Sequence, residues 1–287
     1  MMFVKGANDV ALRWLVQGAI HAIFGEYDPA ISAFAEAKKR GLEQGEALYA
    51  IQLSHAAHLI SKAHYRAAAN LLKRLRAPIN PKHEPVRAAL LAITYLNMQV
   101  GFEQIPALLK RVRRNLSNSH WGLKLFNRDI ELIAGYTHYR LGNEQKAQKH
   151  LELHLKKHST DNRGKRLLAS VLGELAERDY VAHRYAIAAH RIRLALHLMP
   201  NVKRLKHNLA CVRYSRGEHV EASRVFSALR EDREIPEAAL NLGLYLDDVM
   251  GQGNRALSLY QEYLKHGGIA SEVARRRIRR KERIFGR

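Results

Sequence analysis

Apolar residues in this chain recur at three- and four-residue steps, and glycine interrupts the runs at regular distances. Between Asn208 and Leu229, the stretch Leu209, Ala210, Cys211 and Val212 leads to Gly217, and Ala222, Phe226 and Leu229 follow. That pattern predicts a helix, a glycine turn and a second helix. The small residue of the second helix comes back at a fixed period, because Ala188, Ala222 and Ala256 stand 34 residues apart (222 − 188 and 256 − 222). The same grammar runs from Gly135 to Leu151, with Gly142 as the turn and Ala147 as the small residue. It runs again from Trp14 to Ala37 through Gly18, Gly25, Tyr27, Ala30 and Phe34. Self-similarity at such a period predicts an array of helical pairs.

Close packing explains the pattern. Small residues on both helices let an antiparallel pair approach, and bulky residues fill the groove to the next pair. From Glu46 to Leu75 the roles fall to Ala56, Tyr65, Ala68 and Leu72. The unit from Ala89 to Val112 is degenerate, with Pro106 where a second helix starts, a place proline tolerates only in a first turn. Seven pairs are expected, at roughly 11–44, 48–80, 85–117, 128–160, 164–200, 203–235 and 236–268. Gly267-Gly268 then stops a helix, and a closing helix over 270–285, with Ser271 as its N-cap, sets Ala274, Ile278 and Phe285 against the seventh pair.

These residues resemble the tetratricopeptide repeat family over nearly the whole chain, best at 11–44, 128–160 and 203–265. The resemblance implies an all-α, right-handed superhelical solenoid, one domain over 1–287, that binds a peptide or helix of another protein in a concave groove without enzymatic chemistry or a cofactor. It also implies a role for Asn208 and Asn241, which lie 33 residues apart (241 − 208) on successive first helices, where such repeats hydrogen-bond a ligand backbone. Arg204 and Arg275 look like cations of a clamp for a carboxylate, although Ser271 stands where a second cation is expected and Glu237 is an acid beside the site.

Charge changes the picture next. With 48 Lys+Arg against 27 Asp+Glu the chain carries +21. Residues 201–274 balance at ten of each sign, whereas 275–287 carry eight basic residues and one acid. The excess therefore belongs to defined regions. Lys38-Lys39-Arg40, then Lys73, Arg74 and Arg76, then Lys110, Arg111, Arg113 and Arg114, then Lys156-Lys157 close successive second helices. Equivalent positions in a solenoid would join them into a basic edge; cations there also complement the helix dipole. The tail adds Arg276, Arg277, Arg279, Arg280, Lys281 and Arg283. Such charge selects acidic proteins, or alternatively RNA or DNA without sequence preference, or an anionic membrane surface.

Other chemistry is sparse. The single cysteine, Cys211, excludes an internal disulfide and reads as a buried filler. His150, His154 and His158 align on one helical face at a spacing usable for zinc or nickel, without a cysteine or carboxylate beside them. No phosphate loop, nucleophile elbow or zincin motif occurs. With no apolar run of about twenty residues, a cytoplasmic protein is expected, either free or peripheral to a membrane-bound assembly.

Overall fold

A computed structural model describes Trp14, Gln17, Gly18, His21 and residues 26–40, 45–75, 84–114 and 121–285, the side chains of 27, 45–48, 50, 121–127 and 284–285 excepted. Gly25, Arg76 and the side chains of Tyr27 and Phe285 thus lie outside the described residues. Within them every regular element is helical. The helices are α1 (Tyr27–Lys39), α2 (Gly45–Ser61), α3 (Tyr65–Arg74), α4 (Glu84–Met98), α5 (Ile105–Arg114), α6 (Trp121–Arg140) and α7 (Glu144–Lys157). They continue as α8 (Asn162–Val181), α9 (Tyr185–Leu198), α10 (Lys203–Ser215), α11 (His219–Leu229), α12 (Glu237–Leu244), α13 (Gly253–His266) and α14 (Ser271–Phe285). The chain divides into two compact units, Met1–His154 and Leu155–Arg287.

One packing rule organises both. The second-helix alanines Ala30, Ala68, Ala147, Ala188, Ala222 and Ala256 are all fully buried. Four residues after each stands a large buried side chain, in order Phe34, Leu72, Leu151, Ile192, Phe226 and Tyr260. The spacing of four places both on one face. In three pairs the large side chain lies on a first-helix glycine: a Cβ added to Gly18, Gly135 or Gly243 would stand 2.6, 2.6 or 2.7 Å from Phe34, Leu151 or Tyr260. Only a residue without a side chain permits that approach.

In the first unit a continuous core joins Leu53 and Ala56 of α2, Leu72 of α3, Ala88, Ala92 and Tyr95 of α4, Leu109 and Val112 of α5, and Ile130 and Ala134 of α6. Pro106 sits in the first turn of α5, behind a single 3-10 turn at Phe102–Gln104. In the second unit Phe226 packs with Ala210, Leu242 and Leu259, and Tyr260 and Tyr263 pack with Ala239 and Ala274.

The turn inside each pair is also shared. Gly142, Gly217 and Gly251 have φ of 70°, 83° and 64°, and Ala63, Gln99 and His183 take the same left-handed conformation at 60°, 56° and 58°. In five of the six turns an amide reaches back five residues, as from His64 to Leu59, Val100 to Tyr95, Asn143 to His138, Arg184 to Asp179 and Glu218 to Arg213. That is the helix-stop motif in which glycine is favoured. A π-turn, Tyr245–Val249, separates α12 from Gly251.

The closing helix departs from expectation at its start. Ser271 is its first residue and not its cap; its hydroxyl donates to the Gly268 carbonyl at 2.5 Å, while the Tyr263 hydroxyl accepts the Ala270 amide at 2.7 Å. Tyr263 lies where any side chain on Gly268 would be, so the second glycine of the pair is a packing requirement.

Candidate functional site

First helices α8, α10 and α12 bring their outward residues onto one side of the second unit. On α8, Arg166, Ser170, Glu174 and Glu177 follow at helical steps, and on α10 Arg204, Asn208, Cys211 and Ser215 do the same. Between them lies a cavity of 570 Å³, floored by Ala169, Gly173 and Leu205 and rimmed by Arg166, Glu174, Glu177, Arg204 and Asn208. A second, of 320 Å³, continues it past Glu177 and Asn208 to Tyr180, Val181, Ile192 and Cys211. A third, of 280 Å³, carries on from Tyr180 and Cys211 to Tyr214, Phe226, Asn241 and Leu244. Each shares residues with the next, so they form one groove. Gly173 lies at its broad end, where a Cβ would come within 3.4 Å of Leu205.

Polar groups line the groove in an order. Asn208 donates to Glu177 Oε1 at 3.3 Å, and Tyr180 and Ser215 join hydroxyls at 2.9 Å across α8 and α10. Asn241 is half-buried, with Nδ2 at 3.1 Å from His207 Nε2 and 3.4 Å from Cys211 Sγ. Burial lowers the His207 pKa and pushes the Cys211 thiol up to about 12, so the trio is a neutral polar patch and not an activated nucleophile.

The structure therefore brings Arg204 and Asn208 together in the broad cavity and sets Asn241 at the far end, its amide directed at His207 and Cys211. Arg275 stands exposed on α14 and lines none of the three cavities. Sequence reasoning missed the α8 wall. Its signal was present as the i, i+4, i+8 and i+11 ladder from Arg166, but α8 carries no asparagine to draw attention to it.

The basic residues divide. Lys73 lies 5.4 Å from the Tyr95 ring, Arg111 pairs with Glu84 at 3.1 Å and Arg113 with Glu131 at 2.9 Å. Arg74, Lys110 and Arg114 are exposed at the ends of α3 and α5, and Arg76 lies outside the described residues. On α14 the seven cations divide in the same way. Arg277 reaches Asp248 at 2.5 Å and Asp247 at 3.4 Å, and Lys281 pairs with Asp247. These two anchor the helix. Arg276 and Arg279 share Glu272, and Arg275, Arg280 and Arg283 are exposed.

Histidine spacing does not translate into a metal centre. His150 Nδ1 lies 2.7 Å from Glu131 Oε2 and its ring stacks on His138, His154 is buried and His158 is half-exposed. Among the described residues no three His, Cys, Asp or Glu side chains converge as metal ligands, and no helix is long and apolar enough to cross a membrane.

Helix pairs stacked by small residues into large ones, with a groove along successive first helices, define an all-helical repeat protein. The C-terminal part of a TPR repeat-containing protein from Cytophaga hutchinsonii superposes with a TM-score of 0.52 over 90% of this chain and 97% of that one, at 13% identity. The chain has the tetratricopeptide-repeat fold. Further neighbours are MamA (TM-score 0.44, 17% identity, 61% and 94% covered) and a tetratricopeptide repeat protein from Parabacteroides merdae (0.41, 11%, 94% and 98%). No family model and no curated protein sequence matches the chain.

Proposed function

We propose that this chain is a non-enzymatic scaffold that holds an extended peptide or a helix of another protein in the groove of its second unit. The observation that carries this reading is the row of three adjoining cavities along α8, α10 and α12, apolar on the floor and edged by Arg204 and Asn208. An extended chain needs such an arrangement: backbone amides and carbonyls meet side-chain hydrogen-bonding groups, and alternate side chains enter apolar pockets. The chain's net charge of +21 would favour acidic partners, since surface charge steers encounter more than it strengthens the bound state.

The test is a display selection of random peptides on the purified chain, followed by affinity measurement on variants. Peptides chosen by the wild type should bind Asn208→Ala and Arg204→Ala about tenfold or more weakly, the loss typical of a central contact. Melting of these variants should be unchanged, because both side chains are solvent-accessible. Selected peptides that bind both variants as they bind the wild type would place their site elsewhere and refute the groove.

A further inference from the structure

Helix α10 presents a second surface on the side away from the groove. At about 100° per residue, Arg204, Asn208, Cys211 and Ser215 share one face, and Lys206, Leu209 and Arg213 share another, more than a third of a turn away. There a separate trough of 410 Å³ opens between α9, α10 and α11. Its floor is apolar: Leu196 of α9, Leu209 of α10, and Val225 and Leu229 of α11. Its rim is cationic, with Lys206 and Arg213 on α10 and Arg224 on α11. Arg213 Nε lies 3.8 Å from Glu218, which Arg216 holds more closely at 3.2 Å. Lys206 and Arg224 are exposed.

We propose that this trough docks a short amphipathic helix with acidic flanks, supplied by another protein. Three features select that occupant. Leu196 and Val225 are half-buried over the buried Leu209 and Leu229, and the apolar surface they leave calls for aliphatic or aromatic side chains to cover it. Lys206 and Arg213 are seven residues apart, about 10 Å along the axis of α10, so they flank two turns of an incoming helix. A helix lying alongside that has Glu or Asp at two positions seven apart places them beside these cations, and Leu or Phe at the third and fourth positions between them faces the floor. Arg224, across the trough on α11, meets an acid on the other flank. The scaffold thereby holds two partners, or two segments of one partner, on opposite faces of a single helix. This inference does not depend on the groove reading, because the two surfaces share no residue.

A fluorescent synthetic helix of this design, Glu-x-x-Leu-Leu-x-x-Glu extended by one turn at each end, is titrated against the full chain by anisotropy. Binding should weaken about tenfold or more in Lys206→Glu/Arg213→Glu, and for the wild type when the peptide glutamates become glutamine. A peptide with lysine in place of the glutamates should bind the doubly reversed variant better than the wild type, a rescue that a folding defect cannot produce. Asn208→Ala should bind the probe normally, which separates failure of the groove from failure of the trough. Equal binding of the Glu and Gln peptides, or undiminished binding by the reversed variant, overturns the proposal. So does capture of a uridine oligonucleotide or of phosphatidylserine vesicles through Lys206 and Arg213 with no binding of the peptide, which would make the trough a phosphate-binding surface.

Discussion

Gly243 faces the fully buried ring of Tyr260, whose hydroxyl in turn donates to Asp247 at 3.3 Å. A Cβ on Gly243 would stand 2.7 Å from the ring, so one of the two must shift. Gly243→Ala gains about 1 kcal/mol of helix propensity but overpacks this contact by roughly 1–3 kcal/mol. The overpacking wins, and thermal denaturation should show a net loss of up to about 2 kcal/mol. Charge acts at single residues too. The hydrogen bond from His150, helped by the Arg113 guanidinium, holds the Glu131 carboxyl below its usual range, while burial lowers the pKa of His138. Both groups bind protons less readily folded than unfolded, so stability rises with pH across their windows and falls on acidification. Denaturant titrations should show one decrement starting below about pH 6.5 from His138 and His207, whose pKa burial also lowers, and a second below about pH 4.3 from Glu131. His138→Gln should shrink the first step, leaving the share of His207, and keep the second.

Ala63, between α2 and α3, occupies a left-handed position that glycine fills between α6 and α7 and between α10 and α11. A Cβ there costs roughly 1–2 kcal/mol, so Ala63→Gly should raise the urea midpoint, with a gain of up to about 1 kcal/mol once the roughly 0.5–1 kcal/mol for the greater flexibility of unfolded glycine is subtracted. No change would mean that the turn carries no strain. The closing helix raises a different question, because its anchor is ionic. Asp247 is nearly buried and is met by Lys281, Arg277 and Tyr260. Asp247→Ala strands Lys281 against the last helix pair, while Arg277 keeps Asp248, at a cost of about 3 kcal/mol. Limited proteolysis should then cut within α14 while leaving α8 to α11 intact; a variant as resistant as the wild type would show that Ala274 and Ile278 hold the helix by packing alone.

A protein built of repeats has no single core to melt, since each pair contacts its neighbours and stability is close to a sum of local terms. Hydrogen exchange should therefore localise damage. Gly243→Ala should speed exchange in α12, α13 and α14 and leave α4 and α5, in the other compact unit, at wild-type rates. Uniform acceleration through both units would show that the array unfolds as one cooperative block.

Much of this was legible in order along the chain. The alternation of small and large residues at a spacing of four, with glycine turns between, is a local code, and it specified an all-helical repeat fold because each helix pair needs the same close approach. Other features depend on distance in space. The ladder from Arg166 to Glu177 reads as an ordinary solvated helix face until α10 lies beside it and turns it into one wall of a groove. The arginines of the tail look alike in sequence, and only the π-turn that presents Asp247 and Asp248 separates Arg277 and Lys281, which anchor the helix, from Arg280 and Arg283, which face water. Ser271 looked like a cap, but the Tyr263 hydroxyl took the Ala270 amide. The sequence alone determined the helices and the small-into-large contacts that stack them, since both follow from residues a few positions apart; the groove, the trough and the fate of each charge were decided by tertiary structure, because each needs side chains from separate helices to meet.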